Sequence, residues 1–135
     1  MEKGHQLKFR KLHGTYAIVR LAADAPVPDW ASLSESTKGD FTSMSRTADE
    51  LSIVCPTASL PPEVHSPHRW ICLKLEGPFP FALTGILLSF IAPLSENGIP
   101  IFAVSTYDTD YVLVQEPDSD RAFGALRHAG HELVS

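Results

Sequence analysis

The sequence has few cysteines and no disulfide framework. Only two of its 135 residues are cysteine, Cys55 and Cys72, and each lies within an apolar run. Two cysteines are too few to form the disulfide scaffold of a small secreted domain. Cysteine in an apolar run usually acts as a small buried hydrophobe. With 44% hydrophobic residues, the composition predicts a folded domain that is stabilised by a packed core.

Basic charge is also scarce, and this excludes one class of partner. The net charge is −5 with histidine neutral, whereas binding to a phosphate backbone needs clustered lysine and arginine. One short basic cluster exists, at residues 8–11, and we interpret it as part of a solvated N-terminal tail. We therefore expect no nucleic-acid partner.

Long apolar runs are absent as well. The longest apolar stretch, residues 79–94, is broken by Thr84, Gly85, Ser89 and Pro93. It is shorter than the roughly 20 residues that a membrane span requires. No charged segment followed by an apolar one opens the chain, so no secretion signal is evident. The expectation is a cytoplasmic protein without a membrane partner.

The sequence lacks the common motifs of phosphate binding, dinucleotide binding, zinc proteolysis and the serine nucleophile elbow. Two pairs of histidines, His65/His68 and His128/His131, are each three residues apart, but a proline or a glycine interrupts each pair. Neither pair has cysteine at zinc-finger spacing, so we interpret the histidines as exposed loop residues. The carboxylates are scattered through turns. We predict no catalytic residues, no metal site and no cofactor.

In the first half of the chain, the β-branched and aromatic segment Tyr16–Leu21 predicts a strand. Residues 30–40 are polar and predict at most one helical turn. Residues 41–47 and 51–55 predict a hairpin, and residues 60–65 a short helix that begins at prolines.

The second half predicts the order β-α-β-β-α-β, which is the ferredoxin-like unit. Its helices are set by apolar spacing and by the glycines that follow them. The predicted elements are a strand at 70–76, a helix at 81–96, strands at 99–106 and 111–115, a helix from 117 to 130 and a strand at 131–134.

The two halves also align with each other. At an offset of 60 residues, Met44-Ser45 falls on Val104-Ser105 and Arg46 falls on Thr106. The first strands, at 16–21 and 70–75, align at an offset of 54. This similarity predicts a duplication, with an N-terminal subdomain at residues 12–68, a C-terminal one at 69–135, and no proper first helix in the former.

Two segments of the second half are candidates for binding. Residues 77–85 precede a helix, whose free backbone amides can bind a carboxylate; a tight β-α turn explains the segment equally well. Residues 105–110 carry hydroxyls, carboxylates and Tyr107, which can hold an ammonium or guanidinium group. From the residues alone, a polar hairpin turn is the favoured interpretation of this second segment.

At these segments, and at residues 41–56 and 92–99, the sequence resembles the ACT-domain proteins. It is most similar to the subfamily that includes the cytosolic arginine sensors of the TOR pathway and their small bacterial relatives. The resemblance implies an α+β fold of tandem ferredoxin-like (βαββαβ) units, the first degenerate in its first helix. It also implies a non-catalytic regulatory module that binds a free amino acid where two ACT units meet.

The resemblance implies a set of ligand-binding residues as well. Amides near Leu83 and Thr84 would bind the ligand carboxylate, and Asp110 would bind an ammonium or a side-chain cation. Because the sensors carry four units and this chain two, a homodimer is expected. The alternative is a structural dimerisation or protein-interaction module that has no ligand. The full implied set is Gly77, Phe79, Leu83, Thr84, Gly85, Ile101, Phe102, Ser105, Thr106 and Asp110.

Overall fold

The structure is a computed structural model that describes residues 5–31, 41–80 and 84–134. Its contacts divide the chain into two compact units. One unit is Leu12–Trp70, and the other combines Met1–Lys11 with Ile71–Ser135. In chain order, the first unit is therefore inserted into the second. Because contacts alone define these units, their assignment as two ACT-like subdomains stays a prediction.

The described residues form eight strands and two α-helices. The strands are β1 (Lys8–Lys11), β2 (Tyr16–Leu21), β3 (Ser43–Arg46), β4 (Leu51–Pro56), β5 (Trp70–Leu75), β6 (Ile101–Ser105), β7 (Asp110–Gln115) and β8 (Glu132–Val134); the helices are α1 (Ile86–Glu96) and α2 (Ser119–His128).

The unit at 12–70 contains a three-stranded antiparallel sheet in the order β3-β4-β2. Its alternating side chains form a small core that includes Ala31, Leu51, Ile53 and Cys55. The three predicted strands are confirmed. A 3₁₀ turn lies at Asp29–Ala31, and the rest of the segment predicted as one helical turn at most lies outside the described residues.

The short helix predicted at 60–65 is wrong. This segment makes a single turn, in which the Val64 amide donates to the Pro61 carbonyl at 3.1 Å. The regular 3₁₀ turn lies earlier, at Thr57–Ser59. All six residues of the segment are exposed or half-buried. A short helix without a packed apolar face does not offset the free-energy cost of its nucleation.

The other unit has its strands in the order β6-β7-β5-β1-β8. From β5 to β8 the chain follows the predicted β-α-β-β-α-β order, and the fold is of the mixed α+β, ferredoxin-like type. Strand β1 is an addition to that order. It lies between β5 and β8, antiparallel to β5 and parallel to β8.

The prediction of a solvated tail at residues 8–11 is therefore wrong. Phe9 is only 2% exposed, and its ring packs edge-on against Phe90 at 5.2 Å and stacks with Phe123 at 6.2 Å. Arg10 pairs with Glu76 at 2.9 Å, which lowers the pKa of that carboxyl through a charge-assisted hydrogen bond. The packing of Phe9 against two rings distant in sequence explains why this basic segment is an inner strand of the sheet.

Helix α1 begins at Ile86, later than the predicted start at residue 81, while residues 81–83 lie outside the description. The chain reaches the helix through Gly85, whose φ of +80° is left-handed and thus suited to glycine. Ile86, Phe90 and Leu94 are buried, whereas Leu88 is 66% exposed. The helix therefore has one apolar side in the core and apolar surface outside it.

The hairpins of the two units close in the same way. In one, the Thr47 amide donates to the Glu50 carbonyl at 2.9 Å; in the other, the Thr106 amide donates to the Thr109 carbonyl at 2.8 Å. The hydroxyl of each first threonine also accepts the amide of the fourth residue, at 3.1 and 3.3 Å. Thr47 is therefore the counterpart of Thr106.

The predicted offset of 60 is consequently wrong by one residue at the hairpins. The last residues of β3 and β6, Arg46 and Ser105, are counterparts, since each pairs across its own hairpin with the first residue of the next strand. The correction matters because a shift of one residue exchanges the two faces of a strand. The strands at Tyr16–Leu21 and Trp70–Leu75 have equal lengths and fit the offset of 54.

Both cysteines are buried free thiols. Burial raises the pKa of Cys55 to about 11 and that of Cys72 to about 12. Because the folded pKa lies above the unfolded one, the stability that these thiols contribute is complete below about pH 8.5 and declines toward pH 11–12. We predict that neither thiol reacts with an aromatic disulfide reagent at pH 8, and that both react after denaturation.

The control is the double variant C55A/C72A. It should show a smaller fall in the free energy of unfolding between pH 9 and 11 than the natural chain, as measured by urea titration at each pH. Rapid modification of either thiol in the folded protein would contradict the prediction.

Candidate functional site

A cavity of about 210 Å³ lies at the end of the β6–β7 hairpin, against the loop that follows β5. Both walls belong to the same unit. The loop and helix α1 contribute apolar groups, and the hairpin contributes hydroxyls and carboxylates. The lining residues are Phe79, Pro80, Ile86, Ser105, Thr106, Tyr107, Asp108, Thr109 and Asp110.

Three close contacts fasten the hairpin turn to β5 and its loop. The hydroxyl of Thr109, which is 6% exposed, donates to the Leu75 carbonyl at 2.8 Å. The Phe79 amide donates to the Asp108 carbonyl at 3.2 Å. A Cβ at Gly77 would lie 3.0 Å from the same carbonyl oxygen, so glycine permits the close approach of the two backbones and a side chain there would crowd it.

The cavity is negatively polarised. Asp108 and Asp110 belong to its lining, and no lysine or arginine does. The Ser105 hydroxyl donates to Asp110 Oδ1, which orients the carboxylate. None of the ion pairs among the described residues involves Asp110. Such a site favours a cationic group, because a carboxylate forms its strongest hydrogen bonds with ammonium and guanidinium donors.

The structure brings together part of the predicted ligand set. Phe79, Ser105, Thr106 and Asp110 line the cavity, and Gly77 lies against its Asp108 wall. Their assignment as ligand contacts stays a prediction.

The other predicted residues lie elsewhere. Ile101 lines a separate groove with Ile91 and Pro100, and Phe102 is a half-buried residue of β6. The Thr84 carbonyl accepts a hydrogen bond from His5 Nε2 at 3.0 Å, and Gly85 has the same imidazole as its neighbour. Leu83 lies outside the described residues.

The position of the helix start changes the predicted carboxylate site. The first backbone bond of α1 runs from the Ser89 amide to the Gly85 carbonyl. The amides of the first turn therefore belong to Ile86 and the residues after it, and not to Thr84. Ile86 is also the helix residue that lines the cavity.

The implied ligand set named the ends of the hairpin turn and left out three residues of its middle, although the candidate segment 105–110 contained them. Tyr107, Asp108 and Thr109 all line the cavity. Pro80 likewise lay inside the candidate segment 77–85 and outside the ligand set. Ile86 carried no comparable signal, because its place depends on the residue at which α1 begins.

A larger cleft, of about 530 Å³, lies beside α1 and the end of α2, where His5, Ser89, His128 and His131 are among its lining residues. His131 is 4% exposed, so the prediction of an exposed loop residue is wrong for it. Its Nδ1 accepts the Leu7 amide at 3.1 Å, and its Nε2 donates to the Ser89 carbonyl at 2.8 Å. These bonds give the ring a structural role, because it joins Leu7, which precedes β1, to Ser89 of α1.

Two further properties concern residues 5–31, 41–80 and 84–134. No group of three or more histidine, cysteine, aspartate or glutamate side chains there is placed to hold a metal ion. No helix in those ranges is long and apolar enough to cross a membrane.

Comparison with known proteins agrees with the fold. Residues 65–128 match the model of the ACT domain. Residues 14–63 match the model of a second family, which is described as an N-terminal domain. The match to the N-terminal domain ends at residue 63 and the match to the ACT domain begins at residue 65, a few residues before the boundary between the two units at Trp70.

The solved structure of protein Atu0741 from Agobacterium tumefaciens is 44% identical, with a TM-score of 0.83 over 96% of this chain and 93% of that one. The fold and the matched model define an ACT-domain protein. The chain belongs to the same family as Atu0741, and its residues 65–128 form the ACT domain.

Two further relatives are similar to part of this chain. A human protein named CASTOR3P is 32% identical over 101 residues, which is 65% of this chain and 62% of that one. The cytosolic arginine sensor for mTORC1 subunit 1 of Bos taurus is 35% identical over 77 residues, 48% of this chain and 23% of that one. The chain thus spans less than two thirds of the length of these relatives.

An aspartate kinase from Clostridium acetobutylicum shares the fold alone. It is 14% identical, with a TM-score of 0.61 over 91% of this chain and 34% of the kinase.

The crowding at Gly77 generates a prediction. G77A should lower the melting temperature and displace the loop from the hairpin, because the new methyl group would meet a backbone carbonyl at 3.0 Å. The matched control is G124A, in α2, where an added Cβ meets no atom within 4 Å. That variant should be neutral or stabilised, by up to about 1 kcal/mol, since alanine favours a helix.

Thermal unfolding of both variants is the measurement, with the amide chemical shifts of Phe79 and Asp108 as the local readout. Equal melting temperatures for G77A and the natural chain would contradict the close approach.

Proposed function

We propose that this chain is a non-catalytic regulatory module that binds a free amino acid in the cavity between Phe79 and the hairpin residues 105–110. The observation that carries the proposal is the Asp110 carboxylate, which is oriented by the Ser105 hydroxyl beside a cavity without a cationic side chain. This carboxylate would bind an ammonium or guanidinium group. The residues leave open whether the ligand is neutral or basic.

The size of the cavity supports closure by a second molecule. Ligand pockets usually measure about 300–1,000 Å³, and this one measures about 210 Å³. An amino acid in a cavity of this size would be buried more completely if another surface covered it. We propose that the covering surface is an ACT unit of a second copy, so that the ligand lies at an ACT-ACT interface in a homodimer.

The relatives support the class of ligand. The bovine relative is named as an arginine sensor, and its match to this chain makes arginine the first amino acid to test. Its name also places it in the cytosol, which supports a cytoplasmic location for this protein. The common hairpin closure at Thr47 and Thr106 supports a tandem origin of the two units, with the first lacking a regular first helix.

A second function is favoured by one observation. Leu88 is 66% exposed on α1, next to the cleft formed with the end of α2. Apolar surface of this kind marks many protein interfaces. A structural dimerisation module without a ligand would use this face and leave the Asp110 cavity empty.

The experiment is a thermal-shift screen of the purified chain against the twenty amino acids, repeated with D110N. A ligand at 100 times its Kd should add about 2.7 kcal/mol to the free energy of unfolding, which raises the melting temperature by several degrees. The shift should disappear in D110N. It should persist in D120N, which makes the same change of charge in the first turn of α2.

Two outcomes contradict the proposal. One is a shift that D110N retains, which would place the ligand elsewhere. The other is no shift with any amino acid at millimolar concentration, which would leave the structural module. Sedimentation with and without the ligand tests the interface, since a ligand-bound monomer would exclude closure by a second copy.

A further inference from the structure

The two units differ in what fills the space between the loop after the first strand and the end of the hairpin. Strands β2 and β5 correspond at an offset of 54, so the loop residues that follow them also correspond. Ala23 and Ala25 take the places of Gly77 and Phe79, and Pro26 takes that of Pro80. In the C-terminal unit, Phe79 and Pro80 form one wall of the cavity.

The opposite wall differs between the units. Ser105 ends β6 and lines the cavity with a short side chain. Its counterpart is Arg46, at the end of β3. The guanidinium of Arg46 reaches the loop after β2, where Nη1 donates to the Ala23 carbonyl and Nη2 donates to the Ala25 carbonyl, the latter at 2.8 Å.

The chemistry of this contact is specific. A guanidinium presents its N–H groups in a rigid planar fork, and the fork here meets two carbonyl oxygens two residues apart. Carbonyl oxygens are acceptors only, so they are satisfied by a donor that never loses its proton. Asp24, which lies between the two alanines, adds negative charge to the same loop. Lysine has one ammonium and cannot reproduce the fork.

We propose that Arg46 is the built-in occupant of the N-terminal unit's counterpart of the ligand site. Its guanidinium closes that unit to external ligands, and its removal opens a place for a small guanidinium-bearing molecule. The correspondence of this place to a ligand site rests on the proposed function, whereas the contact of Arg46 with the loop does not. One ligand per chain, in the C-terminal unit, is the consequence.

The test is chemical rescue of R46A by guanidinium chloride. R46A should melt a few degrees below the natural chain. Addition of about 20 mM guanidinium, at which its denaturing effect is small, should restore most of that loss. Sodium chloride at the same concentration should not, and R46K should remain destabilised because it keeps the charge without the fork.

The matched control is R20A. Arg20 belongs to the same unit and donates to one backbone carbonyl, that of Asp49, at 3.0 Å, while it pairs with Glu50 at 3.7 Å. It has no second carbonyl to bridge, so guanidinium should not rescue R20A. R46Q, which keeps most of the side-chain length, provides a second variant if R46A folds poorly.

Two results overturn the inference: R46A or R46Q as stable as the natural chain, or guanidinium acting alike on R46A, R20A and the natural chain. The rescue does not depend on amino-acid binding by the C-terminal unit. Rescue of R46A together with an empty amino-acid screen would overturn the proposed function and the comparison with a ligand site, and would leave Arg46 as the guanidinium that holds the loop after β2. An amino-acid shift that D110N abolishes, together with failed rescue, would do the reverse.

Discussion

The candidate site depends on the attachment of the β6–β7 turn to the end of β5. The buried hydroxyl of Thr109 makes that attachment by donating to the Leu75 carbonyl. In the loop after β5, the Phe79 amide makes a second attachment by donating to the Asp108 carbonyl of the turn. The Leu75 carbonyl lies at the end of β5, whereas the Phe79 amide and the Asp108 carbonyl lie in the loop and the turn, and each of these backbone groups gains a hydrogen-bond partner in this way. The same bonds set the width of the cavity, because they determine how far the Asp110 carboxylate lies from the loop. Glycine at position 77 leaves room for this approach, which a side chain there would crowd.

Much of the fold follows from local pattern, and the exceptions depend on distant contacts. The strands at 16–21 and 70–75 are β-branched and apolar enough to be read directly. Strand β1 was missed because three of its four residues are basic, and the burial of Phe9 depends on rings some 80 and more residues away. The start of α1 was also misplaced. Apolar residues continue on both sides of Gly85, and only its backbone conformation ends the loop.

The site was predictable in its segments and not in its register. The hydroxyls and carboxylates at 105–110 identified the hairpin end, and four of the ten predicted residues line one cavity. The predicted alignment placed their counterparts in the first half one residue away from the true positions. An ungapped alignment follows the matches between apolar residues and ignores the threonine that closes each turn. His131 shows the same limit: a polar residue after a glycine resembles a loop, and its burial follows from a backbone amide and a carbonyl that three-dimensional contact supplies.

The difference between Arg46 and Ser105 explains how one scaffold can serve two purposes. The guanidinium of Arg46 is part of the same chain as its carbonyl acceptors, so its effective concentration at those acceptors is in the millimolar range or above. A free competitor at low concentration therefore rarely displaces it. A serine at the same place does not reach the loop, and its hydroxyl instead orients the Asp110 carboxylate beside the cavity. Under the inference drawn for Arg46, the first arrangement keeps its unit closed. Under the proposed function, the second needs a molecule from solution for its closure, and a closure of that kind can report a concentration.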